Sequence, residues 1–412
     1  MQKVRPLCLF GIFVLVVLSS GMIVSFGAIQ PLAHAPITLS SPNAQINGFF
    51  GETVVSGIDG TTNYVVVAAA YETVGGLPVA GHAYVFNEKT GILLHTLTSP
   101  SPQAYTQFGA VLGAGNNLIV AGSPEETANG LSVAGHVYTF NPLTGSLIAT
   151  YSSPNAQTNG RFGFAVAVGS GVIVVGAPNE TANGFGNAGH VYIINVNTGT
   201  IFTLTSPNAQ TGGDFGNSVA VSGLYVVVGA RYETSGGQLE AGNAYIFSTK
   251  TGNLIHGLNN PSPQSAFYVG NFGNLVAISG TTAAIAAPNN QVAGQTRAGN
   301  VYLFNAKTGS LLRTLASPNP QYYGHFGYGL AISSTLVFVG ASYETSHGLT
   351  RAGNVYSFNP KTGLLLNTYT SPNAQLEGDF GENVSVTGSL FAIGATNETA
   401  SGLTGAGHAY IY

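Results

Sequence analysis

Two patterns in this 412-residue sequence could carry chemistry, and each recurs along the chain. The first is a Glu-Thr pair. Its carboxylates could ring a channel mouth and bind cations, or accept backbone N–H bonds within their own loops. Because a feature repeated in nearly every unit usually serves the unit itself, we expect the structural role. The glutamates are Glu72, Glu126, Glu180, Glu233, Glu344 and Glu398.

The second pattern is a His or Asn directly after a recurring Ala-Gly pair. Asn can replace the hydrogen bonds of His, but not its proton transfer or its usual metal ligation. We therefore expect a structural hydrogen bond at this position too. The residues are His82, His136, His190, Asn243, Asn300, Asn354 and His408.

Sequence motifs of the common enzyme classes are missing. The chain has no HExxH, no GxSxG and no Gly-Lys-Ser/Thr phosphate loop, and its one cysteine, Cys8, lies in an N-terminal apolar run. We predict a protein that is not an enzyme and uses no cofactor. A hydrolase or lyase acting on extracellular polysaccharide remains an alternative, because active sites can be assembled from distant loops.

The composition excludes nucleic acid as a partner and favours an all-β chain. Only 6% of the residues are charged and the formal net charge is −4, whereas nucleic-acid binding needs a basic surface. Gly, Tyr and Phe are abundant, and β-branched residues fill the stretches between glycines.

A Phe-Gly pair recurs seven times, each time followed by Ala-Gly, which indicates a propeller or a solenoid. In the best-formed copy, residues 161–210, we predict strands at 162–168, 172–175, 189–195 and 201–205. The Phe-Gly pairs begin at Phe50, Phe108, Phe162, Phe215, Phe272, Phe326 and Phe380.

The two ends of the repeat array are complementary. The seventh copy stops at Tyr412 after its third strand, and the missing fourth strand matches residues 37–45 near the other end. This predicts an all-β, seven-bladed β-propeller of four-stranded antiparallel blades, closed by the N-terminal strand that completes blade seven.

Residues 1–35 differ from the propeller domain, residues 36–412. Lys3 and Arg5 precede an apolar run from Leu7 to Ile29, as in a signal peptide, and residues 33–35 form a small-x-small cleavage pattern. Pro36 disfavours cleavage there, so an uncleaved membrane anchor is the alternative. Both readings place the protein outside the cell or on the extracellular face of the cytoplasmic membrane.

The repeat resembles the FG-GAP repeat of integrin α subunits and related surface proteins over residues 37–412. The matching residues are Phe162-Gly163, Val175 to Pro178 and Ala188 to Tyr192. The resemblance implies a propeller with an extracellular adhesion or recognition role. The chain departs from it in lacking the Asp-rich calcium loop. Asp59 stands alone in the right turn, so we predict no integrin-like calcium sites.

The repeats differ most on one face, in blades four to six. Loops between second and third strands share this upper face with the links between blades. Arginine and tyrosine anchor recognition surfaces, and tyrosines also suit sugar rings. We predict a site for a protein or a glycan at the cell surface. The candidate residues are Arg231, Tyr232, Tyr268, Arg297, Tyr322, Tyr323, His325, Tyr343 and Arg351.

Two further expectations concern the envelope of the cell. Asn179 and Asn397 begin Asn-Glu-Thr sequons and are candidate glycosylation sites, although the same triplet is part of the blade motif. A structural component of the cell envelope is the other alternative to a binding protein. Membrane contact is expected only through the possible N-terminal anchor.

Overall fold

The computed structural model describes residues 35–412, except residues 61, 170, 265–269 and 389. His34–Tyr412 forms one compact unit. The described secondary structure consists of 28 β-strands in seven four-stranded antiparallel sheets, which confirms the predicted fold class. Nearly all of the segment predicted to be a signal peptide or anchor lies outside the described residues.

Blades one to six follow one another along the chain. Blade one comprises β2 (Val54–Asp59), β3 (Thr62–Ala69), β4 (His82–Asn87) and β5 (Leu93–Leu97). Blade two comprises β6 (Val111–Gly115), β7 (Leu118–Ser123), β8 (His136–Phe140) and β9 (Leu147–Ser152). Blade three comprises β10 (Ala165–Gly169), β11 (Val172–Ala177), β12 (His190–Asn195) and β13 (Ile201–Thr205).

The next three blades repeat this arrangement. Blade four comprises β14 (Phe215–Ser222), β15 (Tyr225–Ala230), β16 (Asn243–Ser248) and β17 (Leu254–Asn259). Blade five comprises β18 (Val276–Ser279), β19 (Thr282–Ala287), β20 (Asn300–Asn305) and β21 (Leu311–Ala316). Blade six comprises β22 (Gly329–Ile332), β23 (Val337–Ala341), β24 (Asn354–Phe358) and β25 (Leu365–Thr370).

Blade seven is built from both ends of the described chain. It comprises β26 (Phe380–Thr387), β27 (Leu390–Ala395), β28 (His408–Ile411) and β1 (Ile37–Leu39). β1 pairs antiparallel with β28, with Ile37 opposite Ile411 and Leu39 opposite Ala409. The predicted closure by the N-terminal strand is confirmed.

The Phe-Gly pair of blade three ends a turn and does not start a strand. β10 begins at Ala165, three residues after the predicted start. Gly163 has φ +92° and its N–H donates to the Gly176 carbonyl, while the Phe162 side chain is fully buried against Tyr192. Phe-Gly therefore fixes the entry of the chain into its blade.

The hydrophobic core lies between blades. Each second strand is buried on both faces, as β11 shows, and apolar side chains of neighbouring blades form a cluster at each junction. The glycine of the Gly-Ala-Pro motif allows the close approach, because a Cβ on Gly176 would lie 2.0 Å from the carbonyl oxygen of Gly216 in the next blade. The stacked blades present their loops as two faces, an upper one and a lower one.

Candidate functional site

The Glu-Thr glutamates hold adjacent blades together at the upper face. Glu180 is fully buried and accepts a 2.5 Å hydrogen bond from Ser153 of the preceding blade. It also accepts a 2.6 Å bond from the Tyr192 hydroxyl of its own third strand. The structural role is as predicted, but the predicted partners are wrong: hydroxyl groups of two blades replace the backbone N–H donors, because the carboxylate points into the junction.

The His or Asn after Ala-Gly completes the same arrangement. In blade seven, His408 Nδ1 lies 3.0 Å from the Glu398 carboxylate. In blade six, the Asn354 amide donates to Glu344 at 2.9 Å. The two residue types thus make the same contact, as the sequence predicted.

Blade five replaces the junction glutamate with Asn290. The Asn290 amide donates to the Tyr302 hydroxyl at 2.8 Å and to Asn300 at 3.4 Å, and Asn260 occupies the position of the serine. The junction keeps its shape without a carboxylate. Asn290 Oδ1 is buried without a hydrogen-bond partner among the described atoms.

Three of the predicted arginines stack on tyrosines. The guanidinium carbon lies 4.7 Å from the ring centroid in the Arg231–Tyr232 pair. The distance is 4.8 Å for Arg297 over Tyr323 and 3.9 Å for Arg351 over Tyr343. Each stack holds a flexible cation against a rigid ring and fixes its position on the surface.

Most of the predicted residues of blades five and six meet in one aromatic cluster, which we call the mouth cluster. Ring contacts of 4.4 to 5.7 Å connect its members, and Arg297 and Arg351 stack at its two ends. The aromatic members are Tyr322, Tyr323, His325, Tyr328 and Tyr343. Tyr322 is 68% exposed, while three of the other rings are half-buried.

His325 lies at the centre of the mouth cluster and supports it from below. It is 3% exposed, and its ring stacks on Tyr328 at 4.4 Å. Burial, with a smaller contribution from Arg297, lowers the pKa of His325 to about 4. The ring is therefore neutral at neutral pH, and it packs against Tyr323, Tyr328 and Tyr343.

Arg231 and Tyr232 form a pair outside the ring contacts of the mouth cluster. Arg231 forms an ion pair with Asp214 of its own blade at 3.2 Å and covers its neighbour Tyr232. Tyr268 lies outside the described residues. Blade four thus contributes a further arginine–tyrosine pair to the upper face.

A cavity of about 230 Å³, which we call the acidic pocket, opens beside the mouth cluster and was missed in the sequence. It involves blades six, seven and one. Arg351 connects the two sites, because it stacks on Tyr343 and pairs with Asp379 at 2.9 Å. The lining residues are Phe49, Glu52, Tyr71, Tyr343, Arg351, Asp379, Glu382, Thr396 and Asn397.

Burial raises the pKa of two carboxyl groups of the acidic pocket, Glu52 and Asp379. Burial raises the pKa of Glu52 to about 8, and Glu382 adds to the effect. Burial also raises the pKa of Asp379 to about 7, against the opposing charge of Arg351. Glu52 Oε2 is shielded from solvent and has no hydrogen-bond partner in the described part of the chain. The pocket therefore offers hydrogen-bonding groups that the protein itself leaves unsatisfied.

A signal for this pocket does exist in the sequence. The residues on either side of Phe-Gly vary between blades, and in blades seven and one the pair is flanked by Asp379 and Glu382 and by Phe49 and Glu52. All residues before Phe-Gly have left-handed φ angles near +50°, which place them at the mouth. The Phe-Gly turn is the same in every blade, so the residues that differ beside it are candidates for lining the mouth.

The two candidate glycosylation sites differ in their surroundings. Asn179 is half-buried in the upper loop of blade three. Asn397 lines the acidic pocket, and its amide donates to Asp379 at 2.5 Å. A glycan on Asn397 would break this hydrogen bond. Glycosylation of Asn179 and of Asn397 stays a prediction.

The FG-GAP repeat model matches the chain at residues 148–194, 200–247 and 270–304. No curated protein matches the chain significantly. Together with seven blades of four antiparallel strands, the three matches define the class: the chain is a β-propeller built from FG-GAP repeats. This fold is consistent with roles in protein binding and adhesion.

Two kinds of feature are absent from the residues that the structure describes. No group of three or more His, Cys, Asp or Glu side chains there is placed to hold a metal ion. No helix long and apolar enough to cross a membrane is found within the same residues.

Proposed function

We propose that this protein is an extracellular or cell-surface binding protein whose upper face recognises a glycan or a protein. The observation that carries the proposal is the mouth cluster, in which tyrosine rings are partly exposed yet held by stacked arginines and a buried histidine. Rigid aromatic rings give contact area at little entropic cost.

The neighbouring acidic pocket favours a glycan among these ligands. Sugar rings stack on aromatic side chains, and their hydroxyl groups pair with carboxylates, amides and guanidinium groups. The pocket supplies these groups within reach of the tyrosines through Glu52, Asp379 and Asn397, while Tyr343 belongs to both sites.

The direct test is a glycan array, with an affinity pull-down for protein ligands, using the full chain. Arg297→Ala combined with Tyr323→Ala should abolish binding, because it removes one stacked pair from the mouth cluster. The matched control combines Arg161→Ala with Tyr105→Ala, an arginine and an exposed tyrosine of the same face near blades two and three. Undiminished binding by a folded double variant would refute the site, and self-assembly without binding would favour a structural role.

A polysaccharide hydrolase or lyase is the second candidate function, and the acidic pocket is the observation that favours it. Glycosidases use paired carboxyl groups, one of them kept protonated by a raised pKa. Glu52 has such a pKa and lies in the same pocket as Glu382. Product release from array-positive glycans that is lost in Glu52→Gln would support this candidate, and binding without turnover would reject it.

A further inference from the structure

Exposed apolar side chains are concentrated at the lower end of the propeller. Twenty large apolar side chains are exposed among the described residues, and fourteen lie in lower turns or at the strand ends beside them. We call these fourteen the lower rim. They are Ile58, Ile92, Leu93, Leu94, Leu143, Leu147, Ile148, Ile201, Leu224, Leu254, Leu311, Leu364, Leu365 and Leu366.

Contacts between neighbouring blades join parts of the lower rim. The fourth strand of one blade touches the turn of the next: His95 Nε2 lies 2.7 Å from the Leu143 carbonyl oxygen. Arg313 donates to the Lys361 carbonyl at 2.7 Å in the same way between blades five and six. An exposed apolar band of this extent is unusual for a soluble surface and indicates an interaction site.

The charges of the described residues divide between the two faces. The lower end carries five cations, Lys89, Lys250, Lys307, Arg313 and Lys361, against two carboxylates, of which Glu88 is buried. The upper end carries four arginines against thirteen carboxyl groups, seven of which are buried, including the six junction glutamates. The lower rim therefore combines leucines with lysines, and the rest of the propeller is acidic.

The chain also enters the propeller at this end. Ile37, the first residue of β1, pairs with Ile411 at the lower end of β28. In the sequence, the apolar run that ends at Ile29 precedes Ile37 by only eight residues. Any membrane segment formed by that run would lie within a short tether of the lower rim.

We propose that the lower rim docks on the surface of a lipid bilayer containing anionic lipids. Leucines and isoleucines would enter the boundary between headgroups and acyl chains, and lysines would meet the phosphates. This inference goes beyond the proposed function. The charge pattern argues against a second copy as the occupant, because two lower rims would face each other with the same sign.

The absence of tryptophan allows a direct test. Leu366→Trp places a single reporter on the lower rim, and Leu376→Trp places one on the upper face as the matched control; the native side chains are 45% and 64% exposed. Each full-length variant is reconstituted with vesicles of phosphatidylcholine and phosphatidylglycerol that carry bromine on the acyl chains. We expect roughly twofold lower emission from Leu366→Trp than in unbrominated vesicles, and unchanged emission from Leu376→Trp.

Equal emission from both reporters, stronger quenching of the upper one, or no association with the vesicles would overturn the proposal. A second arm adds Lys250→Glu and Lys361→Glu to Leu366→Trp. Quenching should weaken in anionic vesicles, since each basic residue near the surface adds to the attraction; an unchanged quench would contradict the role of charge. Glycan binding is measured in solution, so failure of this proposal leaves the upper-face proposal standing.

Discussion

At the scale of single residues, the junction glutamates show how a polar group can sit inside a propeller without weakening it. Each is fully buried, which would cost several kcal/mol for an unpaired carboxylate. At five of the six, hydroxyl groups from two blades satisfy both oxygens, as at Glu344, where Asn354 adds a third bond; Glu126 Oε1 has no hydrogen-bond partner among the described atoms. The carboxylate therefore links strands that share no backbone ladder.

Removing one such carboxylate should destabilise the fold. Glu344→Ala leaves the Ser317, Asn354 and Tyr356 donors buried without their acceptor, so we expect a loss of about 3 kcal/mol of unfolding free energy. Glu344→Gln retains an acceptor and should cost less. Denaturant titration measures both, with substitutions of exposed Glu377 as controls. Equal stability of the Glu344→Ala and Glu377→Ala variants would show that the junction bonds contribute nothing.

The acidic pocket should make stability fall as pH rises. Glu52 has a pKa of about 8 in the folded protein, above the ordinary value of 4.5, so the folded state holds a proton that the unfolded state has released. The contribution of Glu52 to the unfolding free energy is therefore fully present below about pH 4.5, and it is lost as the pH rises through about 8. We expect the melting temperature of Glu52→Gln to decline less than that of the wild type between pH 5 and about 8. Parallel declines would contradict the assignment.

The sequence predicted individual residues of the site better than the contacts between them. Arginines and tyrosines of blades five and six stood out by type, and most of them do meet. Their pairing was not predictable, since Arg231 turns to Asp214 while Arg351 connects a tyrosine to an aspartate of the next blade. Burial of His325 also depends on rings from separate loops, which no local pattern encodes.

At the scale of elements, local patterns were sufficient for strands but not for their ends. The apolar run at Val172 and the turn at residues 197–199 fixed the positions of β11 to β13 within two residues. The start of β10 was misplaced because Phe162 looks like a strand residue. Its backbone N–H donates to the Ala134 carbonyl of the preceding blade, and its ring packs in the core between the two blades.

The closing strand is the shortest of the described strands. β1 has three residues, and Leu39 is its single buried side chain, packed in a cluster with Phe50 and Ile411. We expect Leu39→Ala to cost about 3 kcal/mol and to speed hydrogen exchange at residues 409–411. Leu204→Ala, at the matching place in β13, should cost a similar amount and leave residues 409–411 protected. Equal protection of residues 409–411 from hydrogen exchange in both variants would show that β1 does not stabilise the closure of the ring.

At the scale of the whole molecule, the propeller is polarised. Its acidic upper end carries the mouth cluster and the acidic pocket, and its lower end carries lysines and leucines. The alternation of loops between faces made the division of charge accessible from sequence. The lower rim could not be predicted from the sequence. Leucines at the start of a fourth strand look like core residues, and only the structure shows that they lie exposed at the outer edge of the blade.

Calcium should not stabilise this propeller. Calcium needs several oxygen ligands, and Asp59, the last residue of β2, is the lone aspartate beside a turn between first and second strands. We expect the melting temperature to be the same with and without calcium at low millimolar concentration. Thermal unfolding with calcium or with a chelator measures this, and a rise of several degrees would contradict the prediction.

The pairing of β1 with β28 has a consequence for biosynthesis. A ribosome makes Ile37 long before its partner Ile411, so blade seven cannot form until the last strand of the propeller has been made. Until then β1 has no strand to pair with, and the nascent blades form an open arc with an unfilled edge. Closing a loop of this length costs entropy that local pairing does not, so joining the ends is expected to be a late folding step.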